Sequence, residues 1–545
     1  MTGWMQHFPI LPVVIPLICG ALMLLVRDGH RRGRLTLGVL SIASQLAVAI
    51  TLLCATAGYI PNDWPDGVGV YLLGDWPAPF GIVAVVDRLS AVMLVLTALL
   101  GLAAWVYSTA RWDRAGVHFH PLFQFLLMGL NGAFLTGDLF NLFVFFEVLL
   151  AASYGLALHG SGRARVSAGL HYVAVNLIAS FLLLISMAMI YGVTGSLNMA
   201  DLAARAGELI GPERRLFEAG AAILGIAFLI KAAAWPLNFW LPATYANAGA
   251  PVAAVFMIMT KVGVYALLRI GSLLLPSGAP AAFGGEWMFP VGIATLAFGI
   301  IGLIAAPQPE RQAAYCAIIS SGTLFAALGM PGVTLTGPAL FYLVSSVLAL
   351  GAFFLLLEMV ERTQAFGADL LAVSLEAFDL EDPESPDKSD DVVGVAIPAA
   401  MAFLGLSFIA CALLIAGLPP LSGFVAKFAM LSAALTTAEG TPGIGTWLLI
   451  GFMLLSGLAC IVALGRTGIR LFWSVEDTTT PRLRLSEAGP VSMLIFLCIA
   501  MVIWAGPLMH YMEDTARYLG TPDSYISAVL TQSPGRSVTS TEVLP

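Results

Sequence analysis

Charge is scarce in this chain: Asp, Glu, Lys and Arg make up 11% of 545 residues, too few to coat a soluble globule. Metal and redox signatures are missing as well. The six cysteines, Cys19, Cys54, Cys316, Cys411, Cys460 and Cys498, stand singly within apolar segments. No CxxC pair and no histidine spacing suited to zinc, iron–sulfur or haem accompanies them, so they read as small core residues, and neither a metal nor a cofactor is expected. Nothing supports nucleic-acid binding, because the net charge of −8 comes largely from one stretch, Glu376 to Asp391. What the chain has in excess is apolar surface, with 59% hydrophobic residues and a mean hydropathy of +0.91. Such a chain lives in a lipid bilayer.

The first apolar run, Pro9 to Val26, has no Lys or Arg before it and Arg27, Arg31, Arg32 and Arg34 behind it. A secretory signal carries its positive charge in front, so this run reads as a retained first helix. Further runs begin near Leu35, Gly81, Pro121, Asp138, Ser167, Phe217, Pro251, Met288, Arg311, Thr336, Val392, Ile444 and Pro490, which makes about fourteen spans. Basic residues collect in alternate loops: Arg111 and Arg114, Arg163 and Arg165, then Arg466, Arg470, Arg482 and Arg484. That asymmetry puts those loops in the cytoplasm and both termini outside it. The main exception is Arg205, Arg214 and Arg215, in SLNMADLAARAGELIGPERR, which suggests a short surface helix outside the membrane. The acidic stretch falls in a cytoplasmic loop, 362–392, and reads as a solvated linker or a docking surface for a neighbouring subunit.

Four charges lie inside the spans. An isolated charge at a helix centre costs roughly 2.5 to 3.5 kcal/mol even on a lenient insertion scale, so each needs a partner or water. Asp138 suits the N-cap of the fifth span, which puts Glu147 about 13 Å along it at 1.5 Å per residue, near the midplane. Pro251 suits the first turn of the eighth span and places Lys261 about 15 Å deep. Lys231 stands just before AAAWPLNFWLP, where Pro236 should break the seventh helix. Lys427 follows GLPPLSGF, where Pro419 and Pro420 should break the twelfth in the same way. Freed backbone at that depth is tolerated where it is enclosed by protein or lines a hydrated cavity. The bland reading of each lysine is a static ion-pair partner. For Lys231 with Glu147 this is a real option, whereas Lys261 and Lys427 have no spare intramembrane carboxylate.

Other residues carry weaker signals. His171, with Asn176 and Ser180 on the sixth span, is a candidate proton intake or a hydrogen-bonded core histidine. Tyr154 and Tyr265 share helix faces with Glu147 and Lys261 and read as packing. His118 and His120 read as interfacial, and Glu358 with Arg362 as a surface salt bridge across one turn.

The strings LTGDLFNLFVFFEVLLAASYGL (Leu135 to Leu156), VDRLSAVML, TKVGVYALLR and GLPPLSGFVAKF resemble the D-type chain of Mrp/Pha-type multisubunit cation/proton antiporters, over about Asp87 to Arg470. The resemblance implies an all-α polytopic membrane protein with two inverted five-helix repeats, spans four to eight (121–275) and nine to thirteen (286–470). Helices 7 and 12 are the broken ones. Three helices (1–120) precede the repeats, and a fourteenth helix with a tail (471–545) follows them. It also implies roles. Glu147 matches the glutamate of the fifth helix, Lys231 the lysine it pairs with, Lys261 the central relay and Lys427 the exit end. Where relatives place His or Lys between the last two, this chain has Ser320, Ser321, Thr323, Ser345 and Ser346, so water and hydroxyls would carry that step.

The implied function is proton translocation in a multisubunit Na+ or K+/proton antiporter, a transporter subunit and not an enzyme. Its site would be a bacterial inner membrane, beside A, B, C, E, F and G type subunits. The same fold serves proton-pumping subunits of complex I-like or hydrogenase-like redox complexes, which is the alternative. In the electrostatic scheme, separation of Lys231 from Glu147 lets its positive field act on Lys261 and drives that proton toward Lys427. Two unit charges about 8 Å apart interact by about 2 kcal/mol at an effective dielectric of about 20, enough to bias a relay. A third reading is a scaffold in which the charges only hold the assembly together.

Overall fold

The computed structural model describes residues 6–26, 30–116, 118–274, 287–378, 399–436, 442–472 and 483–532. Helices α1 (Leu11–Leu25) and α2 (Arg31–Thr56) lead into a small antiparallel hairpin, β1 (Gly69–Leu72) with β2 (Val83–Val86), in which Gly69 faces Val86 and Leu72 faces Val83. An all-α chain was expected, with the third span starting near Gly81. The alternating β-branched run VAVV pairs as a strand instead, and α3 (Arg88–Ser108) starts only after Asp87 and Ser90 close a reciprocal capping box.

α4 (Phe119–Leu135) and α5 (Leu139–Ala157) follow, and Asp138 caps α5 as expected, accepting from Asn141 N at 2.9 Å. α6 (Arg163–Thr194) ends at Gly195, whose φ of +67° is a left-handed helix stop. α7 (Met199–Ala206) is the short helix expected here, but it is not free on the surface. Its buried face packs under the C-terminal segment described below.

α8 (Gly211–Lys231) and α9 (Trp240–Asn247) are two halves of one interrupted helix, with Pro236 in the break. α10 (Ala250–Leu274), α11 (Met288–Ala305), α12 (Pro309–Leu328) and α13 (Thr336–Phe378) come next. No proline stands between Pro338 and Pro383, and α13 continues to Phe378, so the loop expected from 362 begins as helix. Most of the acidic stretch, from 379 on, lies outside the described residues, as do Arg27 and Arg482.

α14 (Ala399–Ala416) and α15 (Ser422–Leu435) form a second interrupted helix around Pro419 and Pro420. α16 (Ile444–Phe472) and α17 (Leu485–Ile503) complete the apolar set. Within the described residues the expected tail holds two helices, α18 (Ala505–Gly520) and α19 (Asp523–Thr531), which return over the hairpin-bearing face. Tyr511 Oη donates to Arg88 O at 3.1 Å and Arg88 pairs with Asp514 at 3.2 Å.

Eleven of the described helices are long and apolar enough to cross a membrane. The sequence expectation of about fourteen spans adds α4, the broken α8–α9 pair and α12 to these. α10 and α13 are enclosed almost completely, whereas α1, α2, α6, α14, α16 and α17 expose apolar flanks. Polar groups on α10 and α13 are therefore shielded from lipid by a ring of other helices.

Candidate functional site

Lys231 is the last residue of α8, and the carbonyls of that last turn are taken by other donors: Phe228 O by Ala232 N, Leu229 O by Ala234 N, and Ile230 O by Ala233 N and Trp240 Nε1. Nζ is buried, makes no hydrogen bond, and stands 4.6 Å from the centroid of the Phe146 ring. The expected pairing with Glu147 is not formed, and no carboxylate oxygen lies within 4.0 Å of this nitrogen among the described residues. Glu147 instead accepts a short hydrogen bond from the Ser180 hydroxyl on α6. The reason is helical: Phe146 and Glu147 are successive residues on α5 and project about 100° apart, so the lysine meets the ring while the carboxylate turns to α6.

The second station is Lys261, fully enclosed at 0% exposure on α10. Nζ donates to Ser321 Oγ on α12 at 3.1 Å. Helix α10 can approach the first break because Gly263 has no side chain: a Cβ there would stand 2.7 Å from Phe228 O and 2.9 Å from Ala232 Cβ. The same break is tied across to α11, where Thr295 Oγ1 accepts from Trp235 N at 2.9 Å.

Lys427 is seated differently. It lies in α15 but folds back to the end of α14, donating to Ala416 O at 2.8 Å and reaching Ile415 O at 3.5 Å. Lys427 therefore rests against the carbonyl end of a half-helix, where a cation is favoured, whereas Lys231 rests on an aromatic ring. Gly417 makes this possible, with φ of +79° and a position for Cβ only 2.6 Å from Lys427 Cδ. Gly417→Ala should push the lysine off its carbonyl seat and destabilise the break by about 1 to 3 kcal/mol. The check is the melting temperature of the detergent-solubilised protein, and an unchanged value would refute this account of the break.

Between Lys261 and Lys427 the serines pair across helices. Ser320 donates to Ser346 at 3.0 Å, and Ser345 and Ser422 share a hydrogen bond of 2.8 Å. With Lys261–Ser321 these are three separate buried pairs that link α10 to α12, α12 to α13 and α13 to α15, while Lys427 bonds the carbonyls of α14. They do not form a continuous file. Ser320 and Ser321, like Ser345 and Ser346, are chain neighbours pointing to different sides of their helices, and each junction needs a water or a rotamer change. Thr323 bonds its own helix at Ile319 O, and both it and Ser320 also lie against the buried Tyr342 hydroxyl of α13.

Several expected groups fall elsewhere. His171 is exposed on the flank of α6 and bonds only Ser167 O of its own helix, so it is no core histidine and joins none of the lysines. His120 is buried rather than interfacial, packed on Trp105 at 4.8 Å and 3.8 Å from Asp113. Tyr154 and Tyr265 are packing residues as expected: Tyr154 lies against Tyr172 at 5.3 Å, and Tyr265 donates to Phe134 O at 2.7 Å. Glu358 and Arg362 do not pair with each other through their side chains. Glu358 accepts from Trp112 Nε1 at 2.7 Å and pairs with Arg111 at 3.3 Å, while Arg362 pairs with Glu487 on α17 at 2.7 Å. Neighbouring helices offer these charges better-aligned partners than one turn of α13 does.

The sequence reading missed one charged pair. Arg269, two turns beyond Lys261, meets Asp87 at 2.5 Å, and both side chains are buried. Arg269 also lies over Tyr265 at 5.6 Å and over Tyr525 of α19 at 5.0 Å. The available signal was Asp87 in VDRLSAVML and Arg269 in TKVGVYALLR, each a charge at the hairpin-face end of an apolar run.

Residues 136–456 match the family model described as NADH:quinone oxidoreductase/Mrp antiporter, TM. The D-type chain of a probable K+/H+ antiporter from Rhizobium meliloti is 51% identical, over 97% of this chain and 98% of the relative. The D-type chain of the Na+/H+ antiporter from Alkalihalophilus pseudofirmus is 31% identical, over 96% of this chain and 100% of the relative. Among solved structures, a chain of the Mrp complex from Dietzia sp. superposes with a TM-score of 0.78 at 27% identity, covering 97% of this chain and 100% of that one.

Proposed function

The chain belongs to the NADH:quinone oxidoreductase/Mrp antiporter family, and from this we propose that it carries protons through a buried lysine file as the D-type chain of a multisubunit K+ or Na+/proton antiporter. It is a transporter subunit, an integral multi-pass membrane protein that works with other membrane subunits. The observation that carries the relay is the buried series Lys231, Lys261 with Ser321, Ser320 with Ser346, Ser345 with Ser422, and Lys427. Ammonium groups enclosed by protein and linked to hydroxyls can release and take up protons without exposing charge to lipid.

The step begins at Glu147. In the separated state its carboxylate rests on Ser180, and Lys231 lies on the Phe146 ring. Bringing the carboxylate to Lys231 pins that charge. Releasing it leaves an uncompensated cation whose field bears on Lys261 and moves a proton along the serines toward Lys427. His171 has no place in this scheme. Among the described residues no cluster of three or more His, Cys, Asp or Glu side chains could hold a metal ion. The counter-moving K+ or Na+ accordingly uses a route shared with other subunits, of the A, B, C, E, F and G types.

Two repeats, 121–275 and 286–470, each with one broken helix, follow three leading helices (1–120) and precede the C-terminal segment (471–545). The arginine-rich loops face the cytoplasm of a bacterial cell, and both termini lie outside the inner membrane. The test uses everted membrane vesicles holding the complete complex. An imposed pH gradient should collapse on addition of K+ or Na+ with no redox substrate present. Collapse that requires a quinone or hydrogen donor would favour the redox-complex reading instead.

A further inference from the structure

On the hairpin face a cavity of about 410 Å³ lies between α10, α13, the connection 329–335 and α18. It opens at the exposed residues Gly332 and Thr334, is roofed by Ala516, Leu519 and Gly520, and carries the Ser272 side chain on its α10 wall. A cavity of this size with polar groups at its wall holds water. Directly inward is a second cavity of about 10 Å³, lined by apolar side chains and the Tyr265 ring, that shares Val264, Leu268 and Leu328 with the first. At that volume and polarity it is dry. One turn further inward on α10 and α12 stand Lys261 and Ser321, three residues from Val264 and from Leu324 respectively.

We infer that this vestibule is the hairpin-face access route to Lys261, and that Val264, Leu268 and Leu328 form a hydrophobic gate which admits water when α10 and α12 part. The inference rests on the relay reading above and adds the point at which protons cross to the hairpin side. An apolar constriction that dries when closed and conducts when wetted needs no charged group of its own. The gate also explains why a fully enclosed ammonium can exchange protons with solvent: only one helical turn of aliphatic packing separates it from a water-filled pocket.

The experiment introduces S272C on α10 and T334C at the mouth, each in the intact complex. Each variant is compared with itself before and after a membrane-impermeant cationic thiol reagent is applied from the hairpin face, with the unsubstituted complex as baseline. Labelling should cut cation-dependent proton exchange at least about five-fold in both variants. Complete labelling without loss of exchange overturns the vestibule, and so does failure of the reagent to reach either cysteine in the assembled complex. Lys261→Met runs alongside. If it abolishes exchange while labelled vestibules transport normally, only the route fails; if it transports, the relay fails as well.

Discussion

Lys261→Met should reduce cation-dependent proton exchange by about a hundredfold or more, a loss typical of removing a positioned proton-transfer group. The site is enclosed at 0% exposure, and methionine keeps most of the aliphatic volume, so the helix packing and the assembly should survive. Lys261→Arg sharpens the test. Arginine keeps the positive charge but does not release its proton, so a site that must titrate is disabled while a merely electrostatic site is not. Both variants should be inactive in everted vesicles at normal complex yield. Exchange retained by the arginine variant would show that charge alone is needed at this position and would remove the relay from Lys261.

The second large effect concerns the pair that the motifs did not advertise. Asp87→Asn and Arg269→Gln should each lower stability by about 3 to 5 kcal/mol, because either change leaves the other charge buried without its partner. Asp87 also caps α3, and Arg269 lies over Tyr525 of α19. The double variant should recover part of the loss, since pairs in contact are coupled. Yield of the chain in membranes and the melting temperature of the solubilised complex are the readouts. Single variants as abundant and as heat-stable as the parent would show that the pair does not hold the hairpin face together.

Much of the architecture could be read before folding. Apolar run lengths marked the spans, Asp138 and Pro251 marked two helix starts, and Pro236 with Pro419 and Pro420 marked the two breaks. These are local properties, set by hydrogen-bond capacity and by the cost of charge in lipid. The serines between Lys261 and Lys427 were legible as candidates because no His or Lys replaces them. The hairpin was missed because a short β-branched run beside a long apolar helix looks like its continuation, and periodicity cannot separate the two. The Asp87–Arg269 pair was missed because its members are far apart in the chain and each could have been an interfacial end-of-helix charge.

Composition and spacing were enough to make this a bilayer protein with charges inside its apolar spans and interruptions beside two of them, because insertion energy and proline chemistry act on a few residues at a time. Which partner each charge takes was a matter of assembly. Lys231 lies on a ring beside Glu147 and not on the carboxylate, Lys427 caps the preceding half-helix, His171 faces outward and Arg362 prefers Glu487. Those choices depend on the angle at which each side chain leaves its helix and on which other helix stands opposite. Both follow from packing the whole bundle, and no single segment contains them.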